Sequence, residues 1–221
     1  MHTVPHMVSA PAASWEARPI AVSIRTCDIM LSLFGIVLLA PVFLLIALFV
    51  VAIDPGPILF AQRRLGHGGR SFRCFKFRTM AVDAEARLAE LLRNDPLAAA
   101  EWARDQKLRN DPRIVGIGRL LRKSSLDELP QLFNVLRGEM SLVGPRPIVE
   151  AEIVRYGHYY TNYCAVRPGI TGLWQISGRN MVSYRRRVAC DVAFARALDL
   201  RLYFRILLMT VPSVLLVRGS Y

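Results

Sequence analysis

From Ile29 to Ile53 the chain carries no charged residue, and aspartates close the run at both ends, Asp28 and Asp54. Roughly 25 uncharged residues suffice to cross a hydrocarbon layer as a helix. A secretory signal has an apolar core of only about 7–15 residues, and no small-residue cleavage pattern follows, so the signal-peptide reading is rejected. Pro41 sits near the middle of the run. There it deletes one helical hydrogen bond and crowds the preceding turn, which predicts a kink. Both flanks are basic, with Arg18 and Arg25 before the run and Arg63, Arg64, Arg70, Arg73, Lys76 and Arg78 after it. Positive residues favour the cytoplasmic side of a membrane. A helix–break–helix hairpin that dips in and returns satisfies both flanks. On physical grounds alone, a tilted single span with a tolerated proline stays equally open.

The rest of the 221 residues is enough for one compact domain. A formal charge of +12 favours an anionic membrane surface, phosphate-rich substrates or nucleic acid. Many arginines flank apolar segments, and neither an RNA-recognition signature nor a Cys/His finger spacing occurs, so no nucleic-acid partner is expected. Cys27, Cys74, Cys164 and Cys190 form no C-x-x-C pair, which argues against zinc and suits a reducing compartment.

Residues 1–24 read as a disordered tail, 25–54 as the membrane segment and 55–221 as a cytoplasmic domain. Asp54-Pro55-Gly56-Pro57 is a strong stop. Ile58–Gln62 and the alternating Ser71–Thr79 predict a small β-hairpin. Helices are expected over 83–92, from Asp95-Pro96 through Trp102, over 117–122 and over 150–156. Gly144-Pro145-Arg146-Pro147 is stiff and extended. Residues 166–179 read as a Gly-rich loop with a short extended piece. A last helical region is expected from Ser183 to Val217, broken by Pro212. Its final apolar run is too short to span and fits an interfacial or a core helix equally.

Adjacent carboxylates, Asp127-Glu128, follow closely on Arg122 and Lys123. Pro130 is tolerated only in a first helical turn, which puts both acids near a helix N-terminus that runs to about Leu136 and is capped by Gly138. Acid beside base beside arginine points to chemistry on a phosphorylated substrate. The bland alternative is a capping box, with Glu128 reaching back to Ser125.

These motifs resemble the bacterial sugar transferases that act on polyprenyl phosphate, the monotopic phosphoglycosyl transferases. The resemblance runs from about Arg25 to Tyr221 and rests on Lys76-Phe77-Arg78-Thr79-Met80, on the block from Asp127-Glu128 through Pro147, and on Arg167-Pro168-Gly169-Ile170-Thr171-Gly172 through Arg179-Asn180. Lys107 to Arg113, Trp174 to Arg179 and the ending Arg218-Gly219-Ser220-Tyr221 look like the exopolysaccharide-synthesis subgroup that loads galactose 1-phosphate onto undecaprenyl phosphate.

The resemblance implies an α+β, mainly helical monotopic protein on the cytoplasmic face of the bacterial inner membrane, with a re-entrant helix broken at Ala40-Pro41. The usual Ser-Pro of that break is here Ala-Pro, so one hydroxyl that could bond a freed carbonyl is lost. It implies a UDP-sugar donor, an undecaprenyl phosphate acceptor and Mg²⁺. Asp127 matches the nucleophile and Glu128 the magnesium-binding acid. Arg122, Arg146 and Arg179 match basic active-site positions, and Lys76 is a further phosphate-binding candidate. Galactose is the first expectation for the sugar and glucose the second. A homo-oligomer is left open, as is a non-catalytic membrane-associated protein.

Overall fold

The computed structural model describes residues 19–105, 108, 110–178 and 182–215. The uncharged run folds as two helices, α1 (Pro19–Leu38) and α2 (Ala40–Ile53), parted at Leu39. Pro41 stands in the first turn of α2, where a missing N–H costs little. Residues 19–24, assigned to the tail on sequence, belong to α1. Ala21 and Ile24 bury there, which draws the helix upstream of the expected boundary. Among the described residues α1 alone is long and apolar enough to cross a membrane. Leu33, Phe34, Val37, Leu38, Leu44 and Leu48 are each more than half exposed, an apolar surface far beyond isolated surface leucines.

Both ends of this unit are tied to one body. Arg25 donates to the carbonyls of Val135 and Leu136 at 2.5 and 2.8 Å, capping a helix C-terminus with positive charge. At the far end Arg78 donates to Asp54 Oδ2 at 3.0 Å and also to the Asp54 carbonyl. Asp28 is fully buried rather than marking a membrane boundary. Its Oδ1 accepts from Ser141 Oγ (3.0 Å), the Leu142 N–H (2.8 Å) and the Tyr203 hydroxyl (2.8 Å).

Strands β1 (Leu59–Leu65) and β2 (Ser71–Phe77) form the expected antiparallel hairpin, with Gln62 opposite Cys74 and Arg64 opposite Phe72. The two-residue period puts Gln62, Arg64, Phe72, Cys74 and Lys76 on one face. The free edge of β2 is closed by a side chain. Asn134, fully buried, donates to Arg73 O at 2.7 Å and accepts from the Phe75 N–H at 3.0 Å. Those bonds clamp α6 (Gln131–Leu136) against the strand, and Gly138 ends α6 in the left-handed region (φ +79), as the sequence predicts.

Helices α3 (Ala84–Asn94), α4 (Pro96–Asp105) and α5 (Gly118–Ser124) form close to their expected places. The two Gly-Pro motifs, read separately in the sequence, turn out to be one unit. β3 (Ser141–Val143) and β4 (Gly169–Thr171) pair in parallel, which the sequence reading did not foresee. Between them lie α7 (Ile153–Tyr156) and α8 (Tyr160–Cys164), and beyond them α9 (Leu173–Ile176), α10 (Tyr184–Ala197) and α11 (Leu200–Leu215). α9 occupies part of the segment read as a loop. The terminal helical region breaks after Ala197, not at Pro212, which lies inside α11. Asp199 accepts the Leu202 N–H at 2.6 Å and starts a fresh helix, so the break follows the cap.

The main core gathers Ile24 of α1, Phe72 and Cys74 of β2, Leu132 and Val135 of α6, Leu142 of β3, Phe194 of α10 and Tyr203 and Ile206 of α11. α11 is thus a core helix on one face, while Leu208 and Met209 remain exposed on it. A second cluster joins Ile46 and Val50 of α2 to Phe77 and Leu121. α2 therefore packs on β2 of the hairpin that carries the basic residues, while α1 packs on α6, β3 and α11.

Candidate active site

Asp127 and Glu128 occupy a single 3-10 turn, Leu126–Glu128, between α5 and α6. Ser125, just before it, is the one non-glycine residue with positive φ among the described residues (φ 60°, ψ 16°). A left-handed serine costs on the order of 1 kcal/mol. Here it reverses the chain so that both acids turn toward β2. The capping box does not form. Ser125 makes no side-chain cap, and Glu128 Oε1 accepts instead from Lys76 Nζ at 2.7 Å.

The same ammonium stands 3.6 Å from Asp127 Oδ2, so one cation bridges both acids. Arg122 is steadied by a 2.8 Å bond from Nε to Thr79 Oγ1. Burial raises the Asp127 pKa above the usual aspartate value. Lys76 and Arg122 oppose the rise, while the Glu128 charge adds to it. Glu128 is pulled the other way. Burial would raise its pKa too, but Lys76, Arg146 and Arg64 together hold it below the usual glutamate value. Two neighbouring carboxylates with pKa values pushed apart are a mark of divided roles. The more basic and poorly solvated Asp127 is the better nucleophile. Glu128, whose charge is favoured, is the better cation ligand.

Arg146 reaches this place through the Gly144–Pro147 loop. Ser141 N donates to Pro168 O, Gly144 N to Thr171 O and Gly169 N to Pro145 O, each at 2.8 Å, which fixes the loop on β4. The two backbones approach so closely that a Cβ on Gly169 would overlap Gly144 N, so glycine is required there. Arg64, Cys74, Lys76, Glu128, Arg146 and Gln175 line one cleft. Burial pushes the Cys74 thiol up to about 11, so it stands as a neutral wall rather than a nucleophile.

Lys76, Arg122, Asp127, Glu128 and Arg146 are thus gathered as the sequence led us to expect. Arg179 lies outside the described residues. Ala40 and Pro41 are exposed in the first turn of α2. Sequence reasoning passed over three cleft-lining residues, Arg64, Gln131 and Gln175. Arg64 was legible in principle: once the hairpin register is written out, the even-numbered positions of both strands share a face. Gln131 and Gln175 carried no such signal.

Among the described residues no three His, Cys, Asp or Glu side chains gather as a closed metal site. Mg²⁺ does not need one. It takes one or two carboxylates and completes its shell with water and phosphate oxygens. Asp127 and Glu128, both drawn to the single Lys76 ammonium, fit that donor set.

The profile of the family described as "Bacterial sugar transferase" matches residues 20–217. The chain is 46% identical, over 96% of its length and 94% of the relative's, to the exopolysaccharide production protein ExoY of Sinorhizobium fredii. It is 50% identical to the UDP-galactose-lipid carrier transferase of Erwinia amylovora and 47% identical to the undecaprenyl-phosphate galactose phosphotransferase of Salmonella typhimurium. Those two matches cover 89% of this chain but only 41% of either relative, so the likeness takes in a part of two longer proteins. With a profile spanning the apolar helices, the hairpin and the acidic turn alike, the chain belongs to the bacterial sugar transferase family.

Proposed function

We propose that this protein moves a sugar 1-phosphate from a UDP-sugar to undecaprenyl phosphate, at the cytoplasmic face of the bacterial inner membrane, as the first step of exopolysaccharide synthesis. The observation that carries this reading is the buried Asp127, raised in pKa and faced by Lys76 and Arg122. An Asp127 oxygen attacks the sugar-bearing phosphorus of the donor. The bond from that phosphorus to the oxygen bridging the UMP phosphate breaks, and UMP leaves with the electron pair. A phosphate oxygen of the acceptor then attacks the aspartyl phosphorus, and Asp127 departs with its charge restored. Splitting one transfer into two in this way predicts ping-pong kinetics. Lys76, Arg122 and Arg146 neutralise charge on the phosphates and hold them in line. Arg179 joins them by its place in the family motif. Glu128 would hold Mg²⁺, which when bound supplies further neutralisation of phosphate charge.

The membrane reading is likewise ours. A crossing helix separates its ends by about 30 Å of hydrocarbon. Arg25 and Asp54, at the two ends of the apolar unit, both bond to the same body, which supports a re-entrant hairpin whose bare face lies in lipid. The names of the Erwinia and Salmonella relatives support galactose as the sugar. The test is UMP release from a panel of UDP-sugars, including UDP-galactose and UDP-glucose, with undecaprenyl phosphate and Mg²⁺. UMP from UDP-galactose, absent with Asp127→Asn, is the expected result. A folded, membrane-bound wild type that releases UMP from no donor overturns it.

A further inference from the structure

We infer that Arg64 is a donor-binding residue, a second guanidinium that with Arg146 takes the leaving nucleotide's phosphate at the end of the cleft away from the apolar helices. The inference rests on the transferase reading above. Arg64 projects from β1 on the same face as Cys74 and Lys76 and lines the cleft with Glu128 and Arg146. Its side chain is only 16% exposed, and its one ion pair among the described residues is a long contact at the edge of the cleft. The partner, Glu152, lies 3.7 Å from Nη1. Nη1 donates to Pro147 O at 3.2 Å and Nη2 to Gln62 Oε1 at 2.6 Å. A guanidinium has five N–H donors, so several remain for a ligand. Burial and the neighbouring Arg146 both oppose its charge. Two arginines that line one cleft and oppose each other's charge favour an added anion, and a phosphate accepts from two such forks at once.

The position assigns the anion. Arg122 and Asp127 lie toward Thr79, next to the Asp54–Arg78 tie at the foot of α2. Arg64 lies at the opposite end of the hairpin, beside Pro147, and its field reaches Glu128. A lipid-borne acceptor phosphate comes from the apolar helices, on the Asp127 side. The water-soluble nucleotide occupies the other end. The cleft accordingly holds three cations, Arg64, Lys76 and Arg146, against the one carboxylate of Glu128, a surplus that suits a diphosphate.

Steady-state kinetics with the purified full chain in nanodiscs tests this, with donor and acceptor varied separately and UMP as product inhibitor. Arg64→Ala should raise the donor KM and the UMP inhibition constant roughly 10- to 100-fold, the worth of a charge-assisted bond. The acceptor KM should stay within about twofold, far below that effect. Arg64→Lys keeps the charge without the fork and should fall between, and it carries the test if the alanine variant does not fold. UMP protection against thermal unfolding, measured without turnover, should weaken in the same order. An active wild type with donor KM and UMP inhibition unchanged in Arg64→Lys and Arg64→Ala, or with the acceptor KM shifted instead, overturns the inference and leaves the transferase reading standing. A wild type that neither releases nor binds UMP overturns both.

Discussion

Two buried aspartates, Asp28 within α1 and Asp127 in the acidic turn beside the cleft, show how differently the same side chain can be held. Asp28 is fully buried, and three neutral donors converge on its Oδ1 at 2.8–3.0 Å. Asp127 is nearly as buried but has no such cradle among the described residues. The closest ionic partner of its carboxylate is Lys76 at 3.6 Å, already engaged by Glu128 at 2.7 Å. Convergent short bonds lock one oxygen of the carboxylate and spend that oxygen's lone pairs. Distant cations leave the lone pairs available while steadying the charge. The first arrangement stitches α1 to β3 and α11. The second suits the nucleophile proposed above.

Exchanging each aspartate should therefore break different things. Asp127→Asn is expected to lower turnover by at least about 10³-fold and to abolish any covalent phospho-sugar adduct in intact-protein mass spectra. Because its folded pKa is raised, ionised Asp127 opposes folding. The stability it withholds is present below the unfolded pKa and lost as pH rises through the folded one. The asparagine variant should then melt higher at neutral pH, by about 0.5–2 kcal/mol, as active-site replacements commonly do. A variant that melts lower would show that Asp127 also holds the fold together. Asp28→Ala should do the reverse. It strands the Ser141 and Tyr203 hydroxyls and the Leu142 N–H, for a loss of about 3 kcal/mol or more by chemical denaturation. Turnover per folded molecule should change little. Asp28→Asn keeps the accepting oxygen and should cost about 1 kcal/mol.

Lys76→Met probes the one cation the two acids share. Loss of roughly 10²-fold in turnover is expected from the missing charge. The pH profile separates this from simple unfolding. The acid limb of turnover should already lie above the ordinary aspartate range, because ionised Asp127 is the active form and burial raises its pKa. Removing Lys76 leaves Glu128 to push it higher still, so the limb should move to higher pH in the variant. Glu128 behaves oppositely. Its lowered pKa gives stability that is present above its unfolded value and lost as pH falls through the folded one. A limb that stays in place in Lys76→Met would mean that Lys76 does not control Asp127.

Local chemistry made much of this architecture readable. Alternation announced the hairpin, Pro130 and Gly138 bracketed α6, and Pro41 marked the break between the apolar helices. What stayed hidden depended on contacts between distant parts of the chain. The capping reading of Ser125 and Glu128 was sound locally and lost to Lys76, 52 residues upstream of Glu128. Asp28 looked like a boundary charge because its three donors come from β3 and α11, more than 100 residues away. Arg146 was marked by its motif, but its presentation by the parallel β3–β4 pair was not, since two three-residue strands carry no period. Pro212 was taken for a break because the sequence does not show that the Asp199 cap had already made one.

The smallest effect is expected where the sequence points most loudly. Pro41 marks the break, yet α2 begins at Ala40 with the proline in its first turn, a position that proline tolerates and does not need to create. The ends of the apolar unit are held independently, by Arg25 and Asp28 on one side and by Asp54 with Arg78 on the other. Pro41→Ala restores one N–H and should change stability by less than about 1 kcal/mol. A maleimide on Ser23→Cys, read from either side of intact cells in a chain with its native cysteines replaced, should find the N-terminal end of α1 still cytoplasmic. Relocation should need Arg78→Ala as well, because that releases Asp54 and lets the second helix turn away from the body. Relocation by Pro41→Ala alone would mean that the proline, and not the two polar ties, holds the hairpin against a crossing.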